Sequence, residues 1–251
     1  MIYVQKKVHL RFYEELNDFL PGAYRKKEIC HKITGNPSVK DIIEALGVPH
    51  TEIDLVLING VSVGFDSQLH DGDRVSVYPV FESIDIAPVL RLRPAPLRIT
   101  KFICDVHLGK LARQLRMLGF DVLYDRTSTD FEIIYRALKD KRIILTRDQG
   151  ILKQKRVTHG YWIRSTQICE QLPEVINKFD LCNQIKPFAR CMICNGLIKE
   201  VEKSAIIGLI EKNTAMYYEE FYKCSHCNKI YWKGSHYKKM ENRIKKICNN
   251  E

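Results

Sequence analysis

The chain has 251 residues, 45% hydrophobic and 28% charged, with a formal net charge of +10. That length accommodates more than one domain and that apolar share a sizeable core, which sets a disordered chain aside. No apolar run approaches the ~20 residues of a membrane helix. The start MIYVQKKVHLRFYEEL alternates and carries charge, unlike a signal peptide, so a cytoplasmic location and no membrane partner are expected. The charge is uneven: residues 1–80 hold 9 Lys+Arg against 11 Asp+Glu, 81–184 hold 18 against 12, and 185–251 hold 13 against 7. The positive excess sits in the last two-thirds, which suits a polyanionic partner.

In the first third, Val4 to Phe12 alternates as a half-buried strand does. PSVKDIIEALGVP reads as a short helix, with Ser38 and Asp41 at capping-box spacing and Gly47 and Pro49 as its stop. DLVLINGVSVGFD places Asn59-Gly60 between two apolar alternations, a hairpin signal. LHDGDRVSVYPVFE adds a last strand. This order resembles a β-grasp, ubiquitin-like domain, and its ending is similar to small sulfur carriers of that fold. The terminal Gly-Gly those carriers use is lacking, so an interaction module that recruits a protein partner or presents substrate, or a purely structural appendage, is expected instead. Ser83 to Pro96, with Pro88, Pro94 and Pro96, reads as an extended linker.

From Arg98 the pattern becomes one of short apolar strands alternating with helices, the signature of a parallel sheet. RITKFICD ends at Asp105, FDVLYD at Asp125 and KRIILTRD at Asp148, while a helix begins at Asp130 with Glu132 in its first turn. Ligands of open α/β sheets bind beyond the carboxyl ends of the strands, where Asp105 and Asp148 fall. Asp105, Asp130 and Asp148 are thus expected to meet at one sheet edge. Carboxylates brought together repel unless a cation neutralises them, and hard oxygen ligands suit Mg²⁺ or Mn²⁺. Each acid taken singly also fits a cap, an ion pair or a surface charge. No phosphate-cradling GxxxxGK[ST], GxGxxG or GxSxG motif competes. In the helix after Asp105, Leu108, Leu111, Ala112, Leu115 and Leu118 share one face, and Lys110, Arg113 and Arg116 the adjacent arc, expected to face outward.

Nine cysteines is an odd number, and four of them form the pairs CMIC (Cys191, Cys194) and CSHC (Cys224, Cys227). Four thiolates in two such knuckles make a closed, structural zinc site. The second knuckle is embedded in alternating aromatics and lysines, among them Tyr222, Tyr231, Trp232 and Lys233, a composition that suits single-stranded RNA as well as a small domain's core.

These features together resemble the PIN-like RNase family named after the C-terminal region of a mutator exonuclease (Mut-seven C-terminal). FICDVHLGKLARQLRMLGFDVLYD, RIILTRDQGIL, the paired knuckles and YWKGSHYKKM carry the likeness. It implies an α/β protein: a PIN-like parallel-sheet nuclease domain (99–186), preceded by an α+β ubiquitin-like β-grasp domain (1–82) and a linker (83–98), and followed by a zinc ribbon with a basic aromatic tail (187–251). It implies metal-dependent hydrolysis of RNA, without fixing which, with Mg²⁺ or Mn²⁺ at Asp105, Asp130 and Asp148; single-stranded or structured RNA is the expected partner. Where members show a run of acids, this chain reads Thr129-Asp130-Phe131-Glu132, so Asp130, Glu132 and Asp125 all remain candidates for the third position. Lys110, Arg113, Arg116, Arg147, Tyr231, Trp232, Lys233 and His236 are the expected RNA contacts. The rival expectation is a non-catalytic RNA-binding or adaptor protein whose β-grasp domain recruits a partner.

Overall fold

The computed structural model describes residues 6–79 and 100–248. The linker expected at 83–98 lies outside the described residues. In chain order the elements begin with β1 (Lys6–Phe12), β2 (Ile29–Ile33), α1 (Val39–Ala45), β3 (Ile53–Ile58), β4 (Val61–Ser62) and β5 (Arg74–Pro79). There follow β6 (Lys101–Cys104), α2 (Gly109–Met117), β7 (Asp121–Leu123), α3 (Asp130–Asp140), β8 (Ile143–Thr146), α4 (Gln149–Leu152), β9 (Gly160–Trp162) and α5 (Ile168–Lys178). The last part holds β10 (Ile198–Val201), α6 (Lys212–Tyr217), β11 (Phe221–Cys224), β12 (Ile230–Trp232) and α7 (Ser235–Cys248). Among the described residues no helix is long and apolar enough to cross a membrane.

Two compact units form. Among the described residues, the first takes in 6–79 with 148–162 and the second 100–147 with 163–248.

In the first unit the sheet order is β2-β1-β5-β3-β4, with β1 and β5 parallel and the other pairs antiparallel. Alternation in β1 sends Val8, Leu10 and Phe12 into the core. The capping box forms as its spacing predicts: Ser38 Oγ accepts from the Asp41 amide, and the Asp41 carboxylate accepts from the Ser38 amide. Val39, Ile42 and Ile43 of α1 then close the core over the sheet. Asn59 and Gly60 take positive φ values of 50° and 85°, the tight turn that joins β3 to β4.

The segment 148–162, read from the sequence as nuclease domain, packs within this same unit. The Trp162 ring lies 4.9 Å from that of Phe19, and the Trp162 amide donates to Glu52 Oε1 at 2.6 Å. The buried His50 bridges the carboxylate of Glu44 (2.6 Å) and the carbonyl of Val157 (2.7 Å). Each ring nitrogen thus faces one oxygen acceptor.

In the second unit β7, β6 and β8 are neighbours in a parallel sheet. Leu108, Leu111, Ala112, Leu115 and Leu118 are all buried, as the helical wheel predicts for the face of α2. The same unit carries the three-stranded antiparallel sheet β10-β11-β12. Gly119 explains part of the join: its φ is +95°, and a Cβ there would stand 2.1 Å from the Lys186 carbonyl oxygen.

The first cysteine knuckle is fastened to the parallel sheet by polar groups. Asn195 accepts from the Val122 amide at 3.0 Å and donates to Asp121 at 2.7 Å, while Arg142 (2.8 Å) and Arg190 (3.4 Å) complete the Asp121 cluster. Burial alone would raise the Asp121 carboxyl, but hydrogen bonds from Arg142 and Asn195 and the arginine charges outweigh it and hold it below the usual carboxylate range. Its contribution is therefore complete above the unfolded value of about 3.9 and is lost as pH falls through the depressed folded value. Asp121→Ala, which takes from the buried Arg142 its closest carboxylate and leaves it Asp140 at 3.4 Å and backbone carbonyls, is expected to cost about 3 kcal/mol in a denaturant titration at neutral pH. The gap between variant and parent should close below pH ~4 as the parent's carboxylate is protonated.

Candidate functional site

Asp105 follows β6 at the carboxyl end of the parallel sheet and is only 4% exposed. Its backbone continues the ladder, the amide donating to the Leu145 carbonyl at 3.0 Å. A buried carboxylate needs compensation, and three donors supply it. The His107 amide reaches Oδ1 at 2.8 Å, and the Arg147 amide (2.9 Å) and the Thr146 hydroxyl both reach Oδ2. His107, whose side chain is exposed, stands 3.6 Å from Oδ1 through Nδ1. Two donors come from the end of β8 and one from the turn after β6, so pairing of those two strands aims this carboxylate. The sequence located Asp105 and Arg147 but not the role of Thr146. Its only signal is a hydroxyl at the end of the strand beside the acid.

The other acids are exposed and sit at local caps and turns. Asp148 caps α4, accepting from the Gly150 amide at 2.7 Å. Asp130 opens α3, and Glu132 forms its capping box with Thr129. The Thr129 amide hydrogen bond holds the Glu132 carboxyl below its usual value. Asp125 accepts from the amide and hydroxyl of Thr127, which lower its carboxyl likewise. Asp105, Asp130 and Asp148 do not form a group with all carboxylates within 4.8 Å of one another, nor does any other trio of acids among the described residues.

The basic residues divide. Lys110 and Arg113 are exposed on α2, as the wheel predicts. Arg116 is not on the surface: it is 4% exposed, with Nε donating to the Val122 carbonyl (2.9 Å) and Nη1 to those of Ile193 (2.7 Å) and Met192 (3.3 Å). This corrects its reading as an RNA contact. The knuckle carbonyls cover that side of α2 and require a donor there, so Arg116 is a structural tie. Arg147 is half-buried and its guanidinium donates to the Ser165 carbonyl at 2.8 Å.

Cys191, Cys194, Cys224 and Cys227 are the group whose ligand atoms all lie within 4.8 Å of one another among the described residues. Two of the Sγ pairs stand 3.6 and 3.4 Å apart, close to the ~3.8 Å edge of a tetrahedron with bonds of about 2.3 Å. The knuckles are built alike. In each, the first cysteine donates to a carbonyl five residues on (Gly196, Lys229), and an asparagine at positive φ (Asn195, Asn228) returns a bond to that cysteine. At Gly196 a Cβ would lie 2.9 Å from Cys224 Sγ, so a side chain there would crowd the cluster. The donor set and spacing fit a tetrahedral thiophilic ion. Elsewhere, Cys182 is in a disulfide, which its isolated position in the sequence did not announce.

Beside the knuckles, Tyr231 is half-buried with its hydroxyl 3.0 Å from Cys191 Sγ, and Trp232 is 39% exposed. Lys233 pairs with Glu220, which raises its ammonium above the usual lysine value, and lies over the Tyr222 ring at 5.7 Å. The His236 side chain lies outside the described residues.

The model of the Mut7-C RNAse domain matches residues 100–244, more than half of the chain. The chain belongs to the Mut7-C RNAse domain family. The Mut7-C ubiquitin model matches residues 5–85, so the β-grasp unit precedes the Mut7-C domain in the order the sequence suggested. No curated protein and no solved structure matches the chain. Membership supports a nuclease or RNA-related role. The parallel sheet with Asp105 at its carboxyl end and the four-cysteine ribbon both fall inside the Mut7-C span.

Proposed function

We propose that this protein is a divalent-metal-dependent ribonuclease that hydrolyses phosphodiester bonds of single-stranded or structured RNA in the cytoplasm. The observation that supports it most is the Asp105 carboxylate: buried, at the carboxyl end of β6, and aimed by three donors. The donors are two backbone amides and a hydroxyl rather than arginine or lysine side chains, and the basic side chain beside them is the exposed His107, 3.6 Å from Oδ1. Such acceptor chemistry fits Mg²⁺ or Mn²⁺, which take one or two carboxylates and complete their shell with water and phosphate oxygens. Asp148 and Asp130 are the proposed companions of Asp105, with Glu132 and Asp125 the other candidates for the third position.

When bound, the ion would offset phosphate charge and make water a better nucleophile. The chain's own residues do the rest. Thr146 and the Arg147 amide keep the Asp105 carboxyl oriented. Lys110 and Arg113 on α2, and Arg147, hold the phosphate backbone. Hydrolysis adds one water across the phosphodiester, leaving a phosphate monoester and a hydroxyl. Zinc is the proposed ion of the four cysteines, with a structural role.

The cap positions of Asp148 and Glu132 favour the second reading, a non-catalytic RNA-binding or adaptor protein in which these acids serve their helices and the β-grasp unit recruits a protein partner. Cleavage and binding of labelled single-stranded RNA by Asp148→Asn separate the two. The enzyme reading expects cleavage to fall about a hundredfold or more with affinity retained. Binding without Mg²⁺- or Mn²⁺-stimulated cleavage by the parent chain would support the second reading.

A further inference from the structure

The ribbon's aromatic side chains outnumber what its core uses. Phe221 is fully buried at the centre of the ribbon sheet. Trp232, by contrast, is 39% exposed, and Tyr218, Tyr222, Tyr231 and Tyr237 are each only half-buried. These rings, with Phe188, line an open cleft of about 460 Å³. That is within the ~300–1,000 Å³ typical of clefts that take small organic groups.

The cleft's walls are ordered by features already described. Tyr222 and Tyr231 are cross-strand partners on β11 and β12, and the Tyr231 hydroxyl rests against Cys191 Sγ, tying that wall to the metal knuckle. Phe188 and Tyr237 stack at 4.3 Å with an interplanar angle of 29°, and Tyr218 and Trp232 stand at 6.4 Å and 45°. The surroundings are cationic. Lys229 and Lys233 line the cleft, and Lys238 and Lys239 are exposed on the first turns of α7. Residues 185–251 carry 13 Lys+Arg against 7 Asp+Glu.

We propose that this cleft is a nucleobase slot, taking an unstacked base of single-stranded RNA between aromatic faces while lysines at its rim hold the flanking phosphates. The proposal rests on RNA as the ligand of the functional reading above and adds a second place where the strand is gripped. An apolar group held by positive charge at its edges is what a base with its phosphates presents. Lys233 already pairs with Glu220, but a purely apolar peptide would offer nothing anionic to Lys229 or to the exposed Lys238 and Lys239.

The test uses the zinc-loaded full chain without added Mg²⁺ or Mn²⁺, so that binding is read apart from cleavage. Anisotropy of a labelled short single-stranded RNA is compared with that of an abasic oligomer of equal length and charge. The expected result is binding of the RNA at least about tenfold tighter than of the abasic oligomer. Trp232→Ala should erase most of that difference, and Trp232→Phe, which keeps a stacking face, should restore much of it. Lys229→Ala should weaken both oligomers alike. Zinc content measured on each variant identifies any loss that comes from unfolding. Equal affinity for the two oligomers, preference for an apolar peptide over RNA, or a Trp232→Ala variant that keeps zinc and full base preference would overturn the slot. Base-dependent binding with no cleavage under any metal would keep the slot and sink the nuclease reading. Cleavage without base preference would do the reverse.

Discussion

Asp105→Asn is expected to lower RNA cleavage by about 10²–10³-fold while leaving RNA affinity nearly unchanged. The carboxylate accepts three hydrogen bonds, two of them at Oδ2 from the Thr146 hydroxyl and the Arg147 amide. An asparagine retains one carbonyl oxygen and points two N–H donors at whatever faced the other oxygen. If the amide nitrogen replaces Oδ2, it opposes the Arg147 N–H. If it replaces Oδ1, it opposes the His107 N–H. Either way a buried donor is stranded at a cost of about 1–3 kcal/mol, so a lowered melting temperature accompanies the lost activity. Thr146→Val separates the two effects: it removes one donor to Asp105 with little change in volume and leaves the charge. A modest loss of cleavage in Thr146→Val beside a deep loss in Asp105→Asn marks the charge as the functional element. Equal, small losses in both would reduce Asp105 to a structural acid.

Cys224→Ser is expected to have the largest structural effect. Metal analysis of the parent should find about one zinc per chain, and the variant close to none. Binding of structural zinc by four thiolates is worth on the order of 10 kcal/mol in small domains, so the ribbon sheet should lose its order with the ion. The loss should spread. Arg116 is buried against the carbonyls of Met192 and Ile193 in the first knuckle, and Asn195 holds the β7 edge through the Val122 amide. If the knuckle opens, the guanidinium loses two of its three carbonyl acceptors, and the parallel sheet loses the side chain that satisfies its edge. Thermal unfolding should therefore shift for the whole second unit, seen as a lower midpoint by circular dichroism. A variant with normal zinc content and an unchanged midpoint would contradict the four-thiolate assignment.

Local signals explain what could be read in advance. The β-grasp unit was legible because Ser38 and Asp41, Asn59-Gly60 and the alternation in β1 each determine structure within a few residues of themselves. The face of α2 was legible for the same reason: five apolar residues at helical spacing leave one way to pack. Arg116 was misread because a wheel gives an angle and not what covers it, and the covering carbonyls lie 76 and 77 residues away. The packing of Trp162 on Phe19 and of His50 on Val157 joins residues more than a hundred positions apart, with no periodic pattern to betray it. The acids show the same division. Asp105 was found from the end of a β-rich run, whereas the capping box of Thr129 and Glu132 could have been read from its spacing and gives Glu132 a structural task. The knuckles were fully legible, but Phe188 and Tyr218, which complete the cleft beside them, carry no motif.

If this Mut7-C chain cuts RNA with a divalent ion held by Asp105 and its companions, cleavage must follow the supply of that ion. The most direct measurement is the rate of single-stranded RNA cleavage by the zinc-loaded chain as Mn²⁺ is added. Cleavage should be negligible without Mn²⁺, rise to saturation with it, and stay at a background rate at every concentration for Asp105→Asn. Cleavage that ignores Mn²⁺, or that Asp105→Asn sustains at the parental rate, would contradict it.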